Sequence, residues 1–380
     1  MKIVVAPDKF KGSLTSFEVC TAIEKGIKQQ VADATIELLP MADGGDGFAT
    51  CLKHYLGTQT INTLTVDPLG RTLIASYEWQ PNTKTAIIEM AAASGIVLLA
   101  EDEKNPLLTS TYGTGLQIKD AIQKGAETII VGLGGSATND AGMGILVALG
   151  FKFYDDNNQE LSACGKNLYK VCSIKPPNYS FKCQFIAACD VNNTMYGPNG
   201  AAYVYAPQKG ASASAVKLLD AGLRNFEVVL NTYAHKAVGH IPGTGAAGAV
   251  VAGLLPWFNL QLVPGIDLIL EESALKEKLI GADLLITGEG KFDFQTLQGK
   301  VVGALANLCK QNKVAVGVIT GTSDLNTLQW NQSGIKELVA LTSMGYSPTY
   351  CMQNAAQLVT EAAQLLLQKF NLHEKNSSTK

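Results

Sequence analysis

Aspartates follow the apolar runs that predict strands, at the points where those runs end. The predicted strands cover residues 3–6, 36–39, 185–188 and 284–287, and the carboxylates that come after them are Asp8, Asp43 with Asp46, Asp190, and Asp293. One such aspartate usually caps a helix or makes a turn. Ligands of open parallel sheets bind beyond the carboxyl ends of the strands, so the repetition predicts a polar site. Carboxylates there could bind a metal ion, accept a proton or hold hydroxyl groups.

A glycine-rich segment, GLGGSATND at residues 132–140, follows another predicted strand at residues 127–131. Glycines let a ligand approach the backbone closely, and the first N–H groups of a following helix can hold phosphate oxygens. The predicted phosphate-binding residues are Gly134, Gly135, Ser136, Thr138 and Asn139. A tight strand-to-helix turn with a cap is the alternative interpretation.

The same segment also satisfies G-x-G-x-x-A through Gly132, Gly134 and Ala137, which is the weaker form of the dinucleotide fingerprint. Asp155 and Asp156 lie near the distance expected for a ribose contact. A nicotinamide-dependent hydroxy-acid dehydrogenase is therefore a second hypothesis. Two features count against it: the segment lies inside a predicted insertion, and no histidine is suitably placed.

Lysines must supply the positive charge of any phosphate site, because Arg71 and Arg224 are the only arginines. The lysines that lie among glycines and carboxylates are Lys9, Lys11, Lys209, Lys291 and Lys300. No G-x-x-x-x-G-K-[ST] segment is present, which excludes a Walker-type nucleotide site. Lysines in such surroundings suit phosphoryl transfer, where catalysis is mostly positioning and charge neutralisation.

The elements that position these residues alternate between strands and helices at both ends of the chain, which predicts an α/β protein with a parallel sheet. Residues 63–90 instead predict antiparallel strands with a turn at residues 67–70. We therefore expect one doubly wound domain, built from residues 1–64 and 265–380, and an inserted mixed α/β domain at residues 65–264, with boundaries known to about 20 residues.

Bulk composition excludes several protein classes. The chain has 380 residues, 47% hydrophobic and 17% charged, with a net charge of −3. This is a folded protein without the positive field that nucleic acids or anionic membranes require. Its longest apolar run is too short to span a bilayer, and its eight cysteines form no C-x-x-C pair, so a cytoplasmic protein with reduced thiols is expected.

Taken together and in order, the motifs resemble the bacterial-type glycerate kinase family over nearly the whole chain. The matching segments are APDKFKGS (6–13), MADGGDG (41–47), EMAAASG (89–95), TYGTG (111–115), GLGGSATND (132–140), ACDVNN (188–193), PQKGA (207–211), GTGAAG (243–248) and TGEGKFDFQTLQGK (287–300). The resemblance implies ATP:glycerate phosphotransferase activity with Mg²⁺, the 2-position being favoured, in acid-sugar or glycolate catabolism. It also implies a flavodoxin-like domain and a smaller inserted α/β domain.

For this chemistry we assign roles by residue type. Lys9, Lys11 and Ser13 are expected to hold the glycerate carboxylate, with Lys11 also catalytic. Asp43 and Asp46 are expected to bind glycerate hydroxyls or Mg²⁺, and Asp293 is expected to bind Mg²⁺. Asp190 is the expected general base, with Asp293 the second choice.

Departures from the family pattern are modest: Ala141 and Ala249 stand where glycine is common, and Lys291 replaces an arginine.

A non-catalytic protein that binds small acids is a third hypothesis. The sequence leaves a homo-oligomer open.

Overall fold

A computed structural model describes residues 1–45, 47–234, 237–297 and 300–377. The strands are β1 (Lys2–Val5), β2 (Thr35–Leu38), β3 (Gln59–Val66), β4 (Thr72–Gln80), β5 (Thr85–Glu89), β6 (Thr128–Gly132), β7 (Lys152–Tyr154), β8 (Ser173–Lys175), β9 (Gln184–Ala188), β10 (Asn259–Val263), β11 (Leu284–Phe292), β12 (Ala315–Ser323) and β13 (Glu337–Ala340). The helices are α1 (Ser16–Gln30), α2 (Phe48–Leu56), α3 (Ala91–Ser94), α4 (Tyr112–Gln123), α5 (Met143–Ala148), α6 (Ala201–Tyr205), α7 (Ala213–Ala234), α8 (Ala246–Leu254), α9 (Gly265–Glu272), α10 (Leu275–Lys278), α11 (Phe294–Leu297), α12 (Val301–Asn312), α13 (Thr327–Gln332), α14 (Pro348–Gln353) and α15 (Ala355–Ser377).

The chain divides into two compact units. Met1–Asp43 and Ile266–Lys380 form one, here called the terminal unit, and Gly44–Gly265 form the other, the inserted unit. Helix α2, which the sequence assigned to the first domain, belongs to the inserted unit because it packs on β4 and β5. The inserted unit is also the larger of the two, so the expectation of a smaller insertion is wrong.

The terminal unit contains a five-stranded parallel sheet in the order β2-β1-β11-β12-β13. This is the flavodoxin-like order, in which the topological switch point lies between the first and third strands of the sheet, here β1 and β11. Strands of such sheets are buried on both faces and therefore consist of continuous apolar runs. Ile3, Val4 and Val5 of β1 are all fully buried, as this rule requires.

Helix α1 covers one face of this sheet. Thr15 is its N-cap and forms a capping box with Glu18, which satisfies backbone N–H groups that a helix start leaves free. Val19, Ile23 and Ile27 are fully buried on one side of the helix. They belong to a hydrophobic core made entirely of terminal-unit residues, from Ile3 to Leu367.

The inserted unit contains a six-stranded mixed sheet in the order β10-β9-β6-β5-β4-β3. Strands β5, β6, β9 and β10 are parallel, whereas β3, β4 and β5 pair antiparallel. The antiparallel strands around the turn at Asp67 confirm the predicted hairpin. A separate core, drawn from inserted-unit residues alone, packs on this sheet.

Two local predictions fail in ways that matter for the site. The strand predicted at residues 284–287 is longer than expected, because β11 continues to Phe292 and pairs Glu289 with Thr320 of β12. No helix begins directly after the glycines at 134–135, because the next helix, α5, starts only at Met143. The sequence also did not indicate β8 or β10.

Candidate active site

Two buried carboxylates lie together at the switch point of the terminal unit. Asp8 follows β1, and its backbone N–H donates to the carbonyl of Gly288 on β11 at 2.8 Å. Glu289 is the next residue of β11. Asp8 is 8% exposed, and one carboxylate oxygen of Glu289, Oε1, is buried without a hydrogen-bond partner among the described residues.

Burial and mutual repulsion change the acidity of this pair. Loss of solvent and, after it, repulsion from the carboxylate of Asp43 together raise the pKa of Asp8 to about 7, against the lowering effects of Lys9 and Lys300. Burial, with smaller contributions from Asp8 and Asp293, likewise raises the pKa of Glu289 to about 7. Strongly shifted carboxyl groups at the carboxyl edge of a sheet are typical of a functional site.

These interactions link four carboxylates and two lysines of the terminal unit, which we call the acidic cluster: Asp8, Asp43, Glu289, Asp293, Lys9 and Lys300. Asp43 and Asp293 were predicted from the sequence, and Asp46 lies outside the described residues. Glu289 was not selected from the sequence, where the predicted strand ends at residue 287 and Asp293 is the carboxylate named after it. Its position between Gly288 and Gly290 was the available signal.

The segment after Asp8 forms a tight turn in which Phe10 and Leu14 pair through their backbones. Lys9 is partly buried beside Asp8, whereas Lys11 is exposed. The Ser13 hydroxyl donates to the carbonyl of Phe10 at 3.0 Å. In this conformation Ser13 therefore stabilises the turn, and the two lysines remain its candidate anion-binding groups.

Asp293 has a partly structural role, because its carboxylate accepts a hydrogen bond from the backbone of Thr296 at 3.4 Å. Lys291 is exposed and pairs with Asp324 at 2.8 Å. Both arginines are also paired: Arg71 contacts Asp67 and Glu103, and Arg224 contacts Asp220.

In the inserted unit, Asp190 lies beyond the carboxyl end of β9, as predicted. Its side chain is exposed, and Oδ1 accepts from the backbone N–H of Gly265 at 3.0 Å. A Cβ atom on Gly44 would lie 2.9 Å from Oδ2 of Asp190, so glycine is needed for this close approach. The carboxylate is thus held at a defined edge of the sheet and remains open to solvent.

The glycine segment lies at the end of β6, the neighbour of β9. A Cβ atom on Gly134 would lie 2.5 Å from the Cα of Gly45, which brings the glycine pair at 44–45 between this segment and Asp190. Gly134 is partly exposed and Gly135 is exposed, whereas Ser136 is buried, with 8% exposure. The two glycines are the accessible part of the predicted phosphate site, and together with Ser136 they are here called the glycine loop.

Thr138 and Asn139 do not reach the surface. Both are fully buried, so their assignment as direct ATP contacts is not consistent with this conformation. A dinucleotide turn is also disfavoured, because its pyrophosphate would need a helix that starts within the glycine motif. The helix α5 begins six residues after Ala137.

The sequence analysis did not single out Lys209 for a role. This lysine is 3% exposed, and its ammonium donates to Ser136 Oγ at 2.9 Å and to the carbonyl of Thr138 at 2.7 Å. Burial lowers its pKa to about 7, and the buried carboxylate of Asp140 opposes that shift. Nothing in the PQKGA motif distinguishes a buried lysine from a solvated one.

No group of three or more metal-ligating side chains is present among the described residues. The acidic cluster nevertheless fits Mg²⁺, because that ion commonly uses one or two protein carboxylates and completes its shell with phosphate and water. A cation would give the unpartnered Oε1 of Glu289 a partner and would reduce the repulsion between the buried carboxylates.

Within the described part of the chain, no helix is long and apolar enough to cross a membrane.

Comparisons with known proteins agree with the motif resemblance. Residues 3–371 match the model of the glycerate kinase family. The glycerate kinase of Halalkalibacterium halodurans is 38% identical over 364 residues, which are 95% of this chain and 96% of that protein. The glycerate 2-kinase of Escherichia coli K12 is 38% identical over 351 residues, 91% and 92% of the two chains.

A crystal structure described as a glycerate kinase 2 from Salmonella typhimurium LT2 has the same fold, with a TM-score of 0.83, 34% identity and 99% coverage of both chains. This confirms the predicted α/β fold class. The comparisons support neither the dehydrogenase hypothesis nor the non-catalytic binding protein. The chain belongs to the glycerate kinase family and is a phosphotransferase.

Proposed function

We propose that this protein transfers the terminal phosphoryl group of ATP to the 2-hydroxyl of D-glycerate, with Mg²⁺, to give 2-phosphoglycerate. The relatives named glycerate kinase and glycerate 2-kinase support the substrate and the position. The structural observation that carries the proposal is the buried pair Asp8 and Glu289 at the switch point, with lysines beside it. Phosphoryl transfer needs such groups for positioning and charge neutralisation more than for covalent chemistry.

In this proposal Asp8 and Glu289 hold the metal ion, with Asp43 and Asp293 at the margins of the cluster. The ion would neutralise charge on the transferring phosphoryl group. Their raised pKa values are consistent with this role, since two buried carboxylates that repel each other gain stability when a cation binds. Asp46 stays a predicted ligand.

Lys9 and Lys11 are proposed to bind the glycerate carboxylate. Lys11 is exposed on a turn whose backbone is fixed by the Phe10–Leu14 pairing, so its charge is available to an anion. Because the two arginines have partners in the fold, lysine remains the cation for this task. Ser13 could join only by giving up its bond to Phe10.

Asp190 is proposed as the general base that takes the proton of the attacking hydroxyl. It is exposed and oriented by the backbone of Gly265 and by close contact with Gly44. Asp293 stays the second choice, because it also caps the turn at Thr296. The glycine loop is proposed to hold ATP phosphates through its backbone and Ser136.

An enolase-coupled assay without phosphoglycerate mutase tests the reaction, since only 2-phosphoglycerate is then converted. We expect turnover with D-glycerate, ATP and Mg²⁺; product that needs the mutase would place the phosphoryl group on the 3-hydroxyl. Asp190→Asn should lower kcat by about 10²–10⁴, as expected for loss of a base. Asp324→Asn, an exposed aspartate paired with Lys291, is the matched control.

A kcat for Asp190→Asn within about threefold of wild type would mean that Asp190 is not the base and only holds the backbone of Gly265.

Metal binding has a separate readout: Mg²⁺ should raise the Tm of the wild type and not that of an Asp8→Asn, Glu289→Gln double variant. An equal rise in Tm in both proteins would mean that Asp8 and Glu289 do not bind Mg²⁺. A cytoplasmic location and the oligomeric state stay predictions from the sequence.

A further inference from the structure

The ammonium group of Lys209 lies directly beneath the glycine loop. It is held in the short 3₁₀ turn Pro207–Lys209, and Gly210 closes this turn so tightly that an added Cβ would lie 2.0 Å from the carbonyl oxygen of Lys104. Removing a lysine from water is costly, and most lysines stay solvated. A lysine kept 97% buried, with both of its protein acceptors in residues 136–138, therefore needs an explanation beyond packing.

The direction of one hydrogen bond is determined by the chemistry of the donor. A charged ammonium has three N–H groups and no acceptor, so in the contact of 2.9 Å Lys209 must donate and Ser136 Oγ must accept. The hydroxyl hydrogen of Ser136 is then directed away from Lys209. Ser136 itself is buried, with 8% exposure, and it directly follows the exposed Gly135.

The negative charge of Asp140 also acts on Lys209. Its carboxylate is fully buried and accepts from the Thr111 backbone and hydroxyl and from the backbone N–H groups of Gly142 and Gly144. These four donors hold the Asp140 carboxylate, which attracts the ammonium through space. Among the described residues, the donors of Lys209 are therefore not consumed by an ion pair, and Asp140 balances its charge only through space.

Buried polar atoms at residues 138 and 139, next to the carbonyl that Lys209 contacts, lack partners among the described residues. Thr138 Oγ1 and both polar atoms of the Asn139 side chain have no hydrogen bond among the described residues. Lys209 also has one N–H beyond the two bonds it makes. Unpaired buried groups of this kind are costly and usually mark a bound water or a functional site.

We propose that Lys209 is a positioning residue for nucleotide binding, which orients the Ser136 hydroxyl as a donor to an ATP phosphate oxygen and places a positive charge under the glycine loop. The inference rests on the proposed role of that loop. The pKa of Lys209, about 7, adds a consequence. Above neutral pH the amine loses its charge and can accept a bond, so the serine hydroxyl is free to turn inward.

The test is direct titration of the full-length protein with MgATP, which does not depend on glycerate turnover. Lys209→Met should weaken ATP binding by about tenfold or more, the loss expected for a charge-assisted hydrogen bond. Ser136→Ala should cause a smaller loss, because the charge of Lys209 remains, and the double variant should lose little more than Lys209→Met alone, since the serine is oriented through the lysine. Lys217→Met, at an exposed position on α7, is the control for lost charge. The glycerate KM should stay within about twofold, because only phosphate orientation changes.

The pH profile separates positioning from fold support. ATP affinity of the wild type should fall between pH 6.5 and 8.5, whereas Ser136→Ala and Lys209→Met should show a smaller fall; comparison at each pH cancels titration of the nucleotide itself. Affinities of both variants within twofold of wild type, additive losses, or an unchanged pH slope in Ser136→Ala would each overturn the inference. If Lys209→Met does not fold, Ser136→Ala and its pH slope decide alone.

Failure of the proposed function has a different signature. A wild type that binds MgATP with this pattern but does not phosphorylate glycerate would contradict the proposed reaction and support the role of Lys209. A wild type that binds no ATP would overturn both.

Discussion

At the scale of single residues, burial separates carboxylates that the sequence treats alike. Asp8 and Asp293 both follow strands of one sheet, yet Asp8 is 8% exposed while the Asp293 side chain is 31% exposed. Glu289 is buried because it lies within β11 rather than in a turn after it. The pKa values of this buried pair are raised to about 7, which distinguishes the site from a series of aspartates that only cap helices.

The raised pKa of Glu289 makes a prediction about stability and pH. The ordinary value is 4.5 and the folded value about 7, so the folded state holds the proton more tightly, and stability is lost as pH rises through this window. Glutamine does not titrate, so Glu289→Gln removes this loss of stability with rising pH. With EDTA present, its free energy of unfolding should exceed that of wild type by about 1–3 kcal/mol at pH 8 and by little at pH 5.

Urea denaturation at the two pH values measures this difference. Glu277→Gln, the same change at an exposed position of α10, should show no such pH-dependent gain. A Glu289→Gln protein less stable than wild type at pH 8 would mean that hydrogen bonding, rather than repulsion, dominates this carboxylate.

A second prediction concerns Ala249, where the family pattern has glycine. Its φ is +69°, a left-handed conformation that costs a residue with a Cβ about 1–2 kcal/mol. Ala252 lies one turn later in α8, is equally buried and is not among the left-handed residues of this helix. Ala249→Gly should therefore be more stable than Ala252→Gly by about 1–2 kcal/mol in urea denaturation. Equal losses in the two variants would show that no strain is stored at 249.

At the scale of elements, glycines allow close packing where a helix would otherwise prefer alanine. Gly26 lies in the middle of α1, and an added Cβ would come within 2.4 Å of the Thr360 carbonyl oxygen and 2.8 Å of the Ala363 Cβ on α15. Gly26→Ala normally strengthens a helix, but here it must force two helices of the core apart. We expect a loss of about 1–3 kcal/mol, measured by thermal or urea unfolding.

The matched control is Lys25→Ala, at the neighbouring exposed position of the same helix. It should leave stability within about 0.5 kcal/mol of wild type, as surface changes usually do. A stabilised Gly26→Ala protein would mean that α15 can shift without cost.

Elements with strong local signals were predictable, and those defined by tertiary pairing were not. Strands β1 and β9 were predicted because each contains a continuous run of apolar residues. The end of β11 was missed because Gly288 and Gly290 have low strand propensity, and only pairing with β12 keeps them extended. The burial of Thr138, Asn139 and Lys209 depends on contacts far along the chain, which no local pattern records.

At the scale of the whole molecule, each unit has its own sheet and its own hydrophobic core. The ends of the inserted unit lie side by side, because a Cβ on Gly44 would be 3.3 Å from the Cα of Gly265. A domain with adjacent ends can be inserted into another without stretching either chain. We therefore propose that residues 44–265 and the rejoined terminal segments fold independently.

Two shortened proteins test this proposal: residues 44–265 alone, and residues 1–43 joined to 266–380 through a short glycine–serine linker. Each should show a cooperative urea transition and dispersed NMR signals, because each retains a complete core and loses no sheet strand. A short linker is expected to be enough, because Gly44 and Gly265, which follow and precede the joined ends, lie side by side and loop closure costs grow slowly with length. A molten or insoluble inserted unit, with the terminal unit folded, would mean that the insertion depends on the terminal unit for its stability. The two units would then be parts of one cooperative domain, despite their separate cores.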